Sequence, residues 1–575
     1  MLAVDRTIDL SWRFWLLLAL TGVGAGLAGG GLMQLLHLVQ HLAWSYRSGT
    51  FLEAVSRSPP LVRVGVVAAA GALVAAGLAL LKFATGGHAG ELSVAIWFRA
   101  GRAPALQTIG RSVLSIITVG MGAALGREGA LKQAGALVGS ELAALVRLSP
   151  AQRRLLTACG AGAGMAAAYD IPLGGALFAL EVLLGAISLP LAIPALVCSF
   201  IGTATSWLLL PMSPTYATPA FQLTPALVGW ALVAGPVVGV FATLYVRVIA
   251  WADRQRARST ALLIGAPLLA FLVLGVAAIP FPQVLGNGLN VVQASLQDRA
   301  GPLWLMVSLI FVRLAATAIC LKSGAPGGLF TPTLTCGALL GGALGGAWSA
   351  AVPAFATDSG ACAMIGGGAL LAAATEGPAS AIASVVELGR HVDFLIAPLI
   401  IAVAGASLVV RLCRSPSIYS ARVRQAAGLA AAGGRTQAPR FSIVRDYFRI
   451  SAAAHAAAAE HELLKGEVAG RPVHVLDEAG KPLGELSREK ILASEPHRVP
   501  MQLMTAGDFV QHRTAIPANA AGEAVKHALG ENDGREIAVT DPKSGVMVGV
   551  VRPKHKPKAP AKGRAHGKAH APRSH

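Results

Sequence analysis

The chain has 575 residues, of which 54% are hydrophobic and only 13% charged, and its mean hydropathy is +0.60. A soluble chain of this size carries about 25% charged residues, so the composition excludes an ordinary soluble globular protein and points to a membrane protein. The formal net charge of +19 lies largely outside the apolar segments.

In chain order, the first apolar stretch runs from Phe14 to Val39. It is too long for the apolar core of a signal peptide and reads as the first membrane helix. Segments 15–41, 62–83, 223–251, 303–321 and 394–410 approach or exceed the roughly 20 residues that span a bilayer. Segments 112–125, 155–168, 173–184 and 364–374 are shorter and broken or bounded by Gly or Pro. Such interrupted segments are expected where half-helices meet at a central site. The 66 glycines suit close backbone contact between helices. Cys159, Cys198, Cys320, Cys336, Cys362 and Cys413 sit mostly in or beside apolar runs and form no CxxC. They read as small buried hydrophobes, with neither a disulfide framework nor a metal site expected.

The apolar region contains an internal repeat. CGAGAGMAAAYDIPLGGALFALE (159–181) matches IGGGALLAAATEGPASAIASVVE (365–387), so that Pro172 aligns with Pro378 and Glu181 with Glu387. Upstream, AGALVGSEL from Ala134 matches CGALLGGAL from Cys336. A duplicated membrane domain is a mark of many secondary transporters. The sequence does not say whether the halves are inverted.

After about Gly434 the composition changes. Two stretches, 471–486 and 535–551, each read as strand, turn, strand around DEAGK and DPKSG turns, and each follows an Ala-rich helical pattern, 452–464 and 520–529. Residues 436–553 therefore form a tandem pair. Residues 554–575 are Lys, His, Ala and Pro without periodicity, as expected of a disordered basic tail. The basic clusters after the last apolar run (Arg411, Arg414, Arg422, Arg424, Arg435) and in the tail argue for a cytoplasmic C-terminus. They read as attraction to a membrane surface, with no nucleic-acid partner expected.

Three glycine-rich motifs carry the chemistry. GREGA (126–130) places Arg127 and Glu128 between short apolar segments, and ionisable groups in a membrane are functional candidates; a short surface loop is the plainer alternative. SGAPGGLFTP (323–332) leads into an apolar helix, whose free N–H groups and dipole can hold an anion. ATGGHAGEL (84–92) is a further glycine-rich helix entry with a titratable His88. No nucleophile–base set, metal spacing or phosphate-binding loop is present, so an enzyme, a metal and a cofactor are not expected.

Together these motifs resemble the CLC family of chloride channels and chloride/proton antiporters, over roughly residues 12–425. GREGA resembles the family's G-R-E-G-P, with Ala130 in place of the proline. GGLFTP resembles its G-x-F-x-P at Gly328, Phe330 and Pro332. SPSIYS (415–420) resembles the segment supplying a central tyrosine, here Tyr419, and GGHAGE (86–91) lies where the family has G-S-G-I-P-E. The resemblance implies an all-α polytopic membrane protein of two inverted repeats with broken helices (residues 1–430), working as a homodimer with one pore per subunit. It implies anion binding by Gly87, Gly126, Arg127, Gly129, Gly328, Leu329, Phe330 and Tyr419, with the backbone N–H groups of Leu329 and Phe330 and the Tyr419 hydroxyl as donors. Glu128 is then the gate: its carboxylate is itself an anion, can occupy an anion position, and is released by protonation. The tandem region resembles a degenerate, small α/β CBS-domain pair, more suited to dimerisation or gating than to nucleotide binding.

Three departures from the family pattern matter. Gly87 stands where a serine hydroxyl would contact the central ion. Gly90 replaces the motif proline. Val182 stands where antiporters carry a proton-relaying glutamate, and valine cannot carry a proton. The expected function is a voltage- or pH-dependent chloride channel gated by Glu128, with chloride as the transported ligand. One alternative is a chloride/proton antiporter with another inner proton route. Another, of a different class, is a sensor acting through the CBS-like pair. The expected location is a bacterial inner membrane, crossed many times.

Overall fold

The computed structural model describes residues 10–85, 92–256, 260–390 and 393–421, with short stretches between 448 and 551. Gly87, His88 and Gly90, the Ala-rich patterns 452–464 and 520–529, and the tail 554–575 lie outside the described residues.

The first unit is helical. Its opening half runs through α1 (Trp12–Trp44), α2 (Phe51–Arg57), α3 (Pro60–Thr85), α4 (Leu92–Phe98), α5 (Ala105–Gly120), α6 (Glu128–Leu145), α7 (Pro150–Tyr169), α8 (Pro172–Leu177) and α9 (Leu189–Ser206). The rest comprises α10 (Pro225–Arg254), α11 (Thr260–Ala277), α12 (Leu289–Leu296), α13 (Leu303–Ser323), α14 (Phe330–Ala351), α15 (Ser359–Thr375), α16 (Pro378–Gly389) and α17 (Ile396–Leu412). Among the described residues, six helices are long and apolar enough to cross a bilayer. Exposed Leu, Val, Ile and Phe side chains on these helices are what a hydrocarbon solvent requires. Several segments differ from expectation: α5 runs from Ala105 to Gly120 against an expected 112–125, and α15 starts at Ser359 against 364. Helix α7 begins at Pro150 rather than 155, because Ser149 and Gln152 form a capping box and the buried Arg153 donates from Nε to the Ala100 carbonyl at 2.7 Å. Segment 173–184 divides into α8 and a π-helical stretch, Phe178–Leu184.

The repeat is written into the packing. Glu128 and Phe330 each open a helix, 202 residues apart, and Pro172 and Pro378 each stand first in theirs, 206 apart. Asp170 and Glu376, also 206 apart, both take left-handed backbone, with φ of 57° and 56°. Glycines bring paired helices into backbone contact: a Cβ on Gly135 of α6 would overlap the Gly160 carbonyl of α7, and one on Gly337 of α14 would lie 2.6 Å from the Gly366 carbonyl of α15. Without side chains at these points the helices approach closely enough for dispersion to hold them in lipid.

Two contacts identify a two-fold relation between the halves. Glu181 accepts from the N–H groups of Ala379 (3.2 Å) and Ser380 (2.7 Å) at the start of α16. Glu387 accepts from Leu173 (2.9 Å) and Gly174 (2.7 Å) at the start of α8. Each repeat thus caps the other's helix through equivalent residues, the reciprocity that a two-fold axis imposes. Each carboxylate also meets the positive end of a helix dipole.

The second unit is built of short strands: β1 (Phe448–Ser451), β2 (Val473–Leu476), β3 (Pro482–Leu486), β4 (Val510–Gln511), β5 (Ile516–Pro517), β6 (Ile537–Thr540) and β7 (Met547–Val551). The expected hairpins are present as the antiparallel pairs β2–β3 and β6–β7. Their turns are closed by Asp477, which accepts from the Lys481 N–H at 2.8 Å, and Asp541, which accepts from Ser544 at 2.8 Å. Each hairpin adds one parallel strand, β1 beside β2 and β5 beside β6. Leu476, Ala538, Met547 and Val550 form a shared core.

Candidate functional site

The site forms where the two equivalent loops meet. GREGA connects α5 to α6 and GGLFTP connects α13 to α14. Gly126 and Gly328 form an isolated antiparallel bridge, with N···O distances of 2.9 and 2.7 Å. They are 202 residues apart, like Glu128 and Phe330, so each glycine bonds its own counterpart at the two-fold. Their amides are engaged with one another, so these glycines serve the site by leaving space. A Cβ on either would overlap the Glu128 carboxylate. Gly129 is likewise pressed on the other loop, since a Cβ there would lie 2.6 Å from the Gly328 nitrogen.

Glu128 is fully buried at the first turn of α6. Its Oε1 accepts from the Phe330 backbone N–H at 2.6 Å. Its Oε2 lies 3.0 Å from the Tyr169 hydroxyl and 3.1 Å from Thr331 Oγ1. The Tyr169 and Thr331 oxygens are themselves 2.6 Å apart. A carboxylate here occupies the N-terminus of α14, where an unpaired N–H and the helix dipole favour negative charge. Leu329, the residue preceding α14, is buried and has φ −124° and ψ −2°.

Tyr169 and Thr331 were not singled out by sequence. Tyr169 ends α7, and its placement depends on residues far along the chain. Its carbonyl accepts from Thr215 at 2.8 Å. The next residue, Asp170, accepts from Trp207 Nε1 at 3.0 Å and pairs with Arg390. Arg127 also acts on this turn: its Nη2 donates to the Ala168 carbonyl at 3.3 Å, and its guanidinium lies 4.6 Å from the Tyr169 ring centroid. Arg127 therefore braces the tyrosine that holds Glu128.

Tyr419 is carried to the same region by the Ile418 N–H, which donates to Ala374 at the end of α15 at 2.9 Å. Its ring meets Phe178 edge-on, with centroids 5.6 Å apart. Its hydroxyl accepts from Lys132 Nζ at 3.0 Å. Lys132 was also missed, although a lysine in an apolar run beside Glu128 is itself a signal. Val182 is half-buried in the π-helical stretch against the apolar core, and the neighbouring Glu181 is committed to capping α16.

The family model for the voltage gated chloride channel matches residues 71–411. A ClcB-like protein of Ralstonia nicotianae is 34% identical over 392 residues, covering 66% of this chain and 89% of the relative. An H(+)/Cl(-) exchange transporter, ClcA, of Vibrio parahaemolyticus is 31% identical over 322 residues, covering 52% of this chain and 66% of the relative. Among solved structures, a slow cyanobacterial Cl-/H+ antiporter superposes with a TM-score of 0.64 at 22% identity, covering 72% of this chain and 98% of the other. The equivalent loops meeting on a buried carboxylate, the repeat and these likenesses agree: the chain belongs to the CLC family and is a membrane protein that moves anions across the bilayer.

Proposed function

We propose that this protein is a chloride channel in which Glu128 is the gate. The observation that carries the reading is the Glu128 carboxylate seated on the Phe330 N–H at the start of α14. A helix N-terminus of this kind receives anions, and the glutamate fills it as a tethered substitute. Chloride passes when the carboxylate leaves, and protonation releases it by removing the charge that the N–H and the two hydroxyls hold. Gly126 and Gly328 keep the space that carboxylate and chloride use in turn. Partial contacts of this number suit conduction, because each is weak enough to be broken on exit.

Val182 favours a channel over an antiporter, since it offers no proton acceptor at the inner relay position of the family pattern. The antiporter is the second reading, supported by the retained Glu128 and by the exchanger name of the Vibrio parahaemolyticus relative. The reading extends to a homodimer with one pore per subunit in a bacterial inner membrane, C-terminus cytoplasmic, where the CBS-like pair acts in dimerisation or gating without a nucleotide. The test is Glu128→Gln in proteoliposomes. Chloride flux should become independent of pH, and unchanged pH dependence removes Glu128 from the gate.

A further inference from the structure

Four residues along α6 from Glu128, about 6 Å of rise, stands Lys132. It is only 5% exposed, in a region where charge is costly. Its Nζ donates to the Tyr419 oxygen at 3.0 Å and lies 4.6 Å from the Phe178 ring centroid and 5.0 Å from that of Tyr419. Two aromatic faces stabilise a cation, but among the described residues no carboxylate pairs with it.

Lys132 opens on a cavity of about 50 Å³. By this measure a single water needs only about 10–15 Å³, so the space admits a small ion. Arg111, Arg256, Ser115 and Tyr419 share the lining with the glycine backbone that precedes α14. Arg256 pairs with Asp253 at 2.8 Å. No carboxylate is among the described lining residues. The Ser115 hydroxyl, on α5, is buried and finds no hydrogen-bond partner among the described residues. A buried orphan hydroxyl and a buried cation on residues that line one space of ion size call for an anionic ligand.

We propose that Lys132 is a direct ligand of the transported anion, and that its cavity holds one small monovalent inorganic anion between the Lys132 ammonium and the Tyr419 and Ser115 hydroxyls. The proposal rests on the anion-conduction reading above. An ammonium only donates, so the Tyr419 oxygen is the acceptor in the Lys132 contact. The phenolic proton is left for another acceptor, and the adjacent charge makes it a stronger donor. Ser115 provides, from another helix, the kind of hydroxyl that the chain lacks at Gly87. The fixed charge also opposes the passage of protons, as cations lining other pores do. Lys132 and Val182 then act in the same sense, toward anion conduction without protons.

The test is chloride binding to the detergent-solubilised full chain, measured by isothermal titration calorimetry, for wild type, Lys132→Met and Lys132→Arg. Methionine keeps the length and removes the charge, and should weaken binding about tenfold or more, as loss of a charge-assisted contact does. Arginine should stay within a few-fold of wild type. A Lys132→Met protein that binds chloride as tightly as wild type overturns the assignment. A wild type that neither binds nor passes chloride overturns the conduction reading itself, which separates the two failures. Crystals of the wild type grown in bromide give an answer that needs no variant: anomalous density beside Lys132 Nζ is expected, and density only at other sites overturns the proposal.

Discussion

Tyr169→Phe isolates the latch on Glu128. The substitution removes one oxygen and keeps the ring, which packs 5.7 Å from Phe330 and 4.6 Å from the Arg127 guanidinium. What is lost is the 3.0 Å contact to Glu128 Oε2 and the 2.6 Å contact to Thr331 Oγ1. A hydrogen bond to a charged group contributes about 1.5–3 kcal/mol. The Thr331 hydroxyl, 3.1 Å from the same oxygen, recovers part of this once Tyr169 no longer competes for it, so the lower figure applies. About 1.4 kcal/mol is tenfold in an equilibrium, and the carboxylate should leave its seat about tenfold more often. The assay is chloride efflux from proteoliposomes at equal pH on both sides, with Glu128→Gln as the unlatched reference. Efflux should rise severalfold toward the Glu128→Gln level. Efflux at or below wild type, while Glu128→Gln is faster, refutes the latch.

Other outcomes follow from the same geometry. Glu387→Ala uncaps α8 and Glu181→Ala uncaps α16; loss of a cap costs about 0.5–2 kcal/mol, so both should lower the thermal midpoint in detergent, and by similar amounts because the contacts are two-fold equivalents. An effect confined to one of them contradicts the symmetry. Val182→Glu adds a carboxyl where the channel reading finds none, and should introduce proton movement during chloride efflux followed with a pH-sensitive dye. Efflux that stays free of protons in this variant sinks the claim that Val182 is what prevents coupling.

Much of this was legible in the sequence because the fold is duplicated. Pro172 with Pro378, and Glu181 with Glu387, stand at equal spacing in sequence and at equivalent places in space, since a repeated apolar pattern with repeated breakers folds twice in the same way. The loops around Glu128 and Phe330 were legible for the same reason: glycine before a buried helix start has a physical purpose, room for a ligand. Tyr169 and Thr331 were not, and of Lys132 only the charge in an apolar run was visible, not its partners. Tyr169 meets Glu128 from another helix across 41 residues, and Lys132 meets Tyr419 across 287. Spacing along one helix says which residues share a face but not what that face will meet. The early start of α7 was missed because Arg153 and Arg154 look like a surface boundary until Ala100 is seen to receive the first of them. The reciprocal capping by Glu181 and Glu387 was hidden behind their alignment as mere repeat markers.

In the channel reading, chloride passes a Glu128-gated path without obligatory protons. The purified protein is reconstituted in liposomes, a chloride gradient is imposed, and chloride and proton movement are recorded together. Chloride flux with no protons carried against their own gradient is expected. Protons driven uphill by chloride would contradict it, establish an antiporter, and require a proton route that does not pass through Val182.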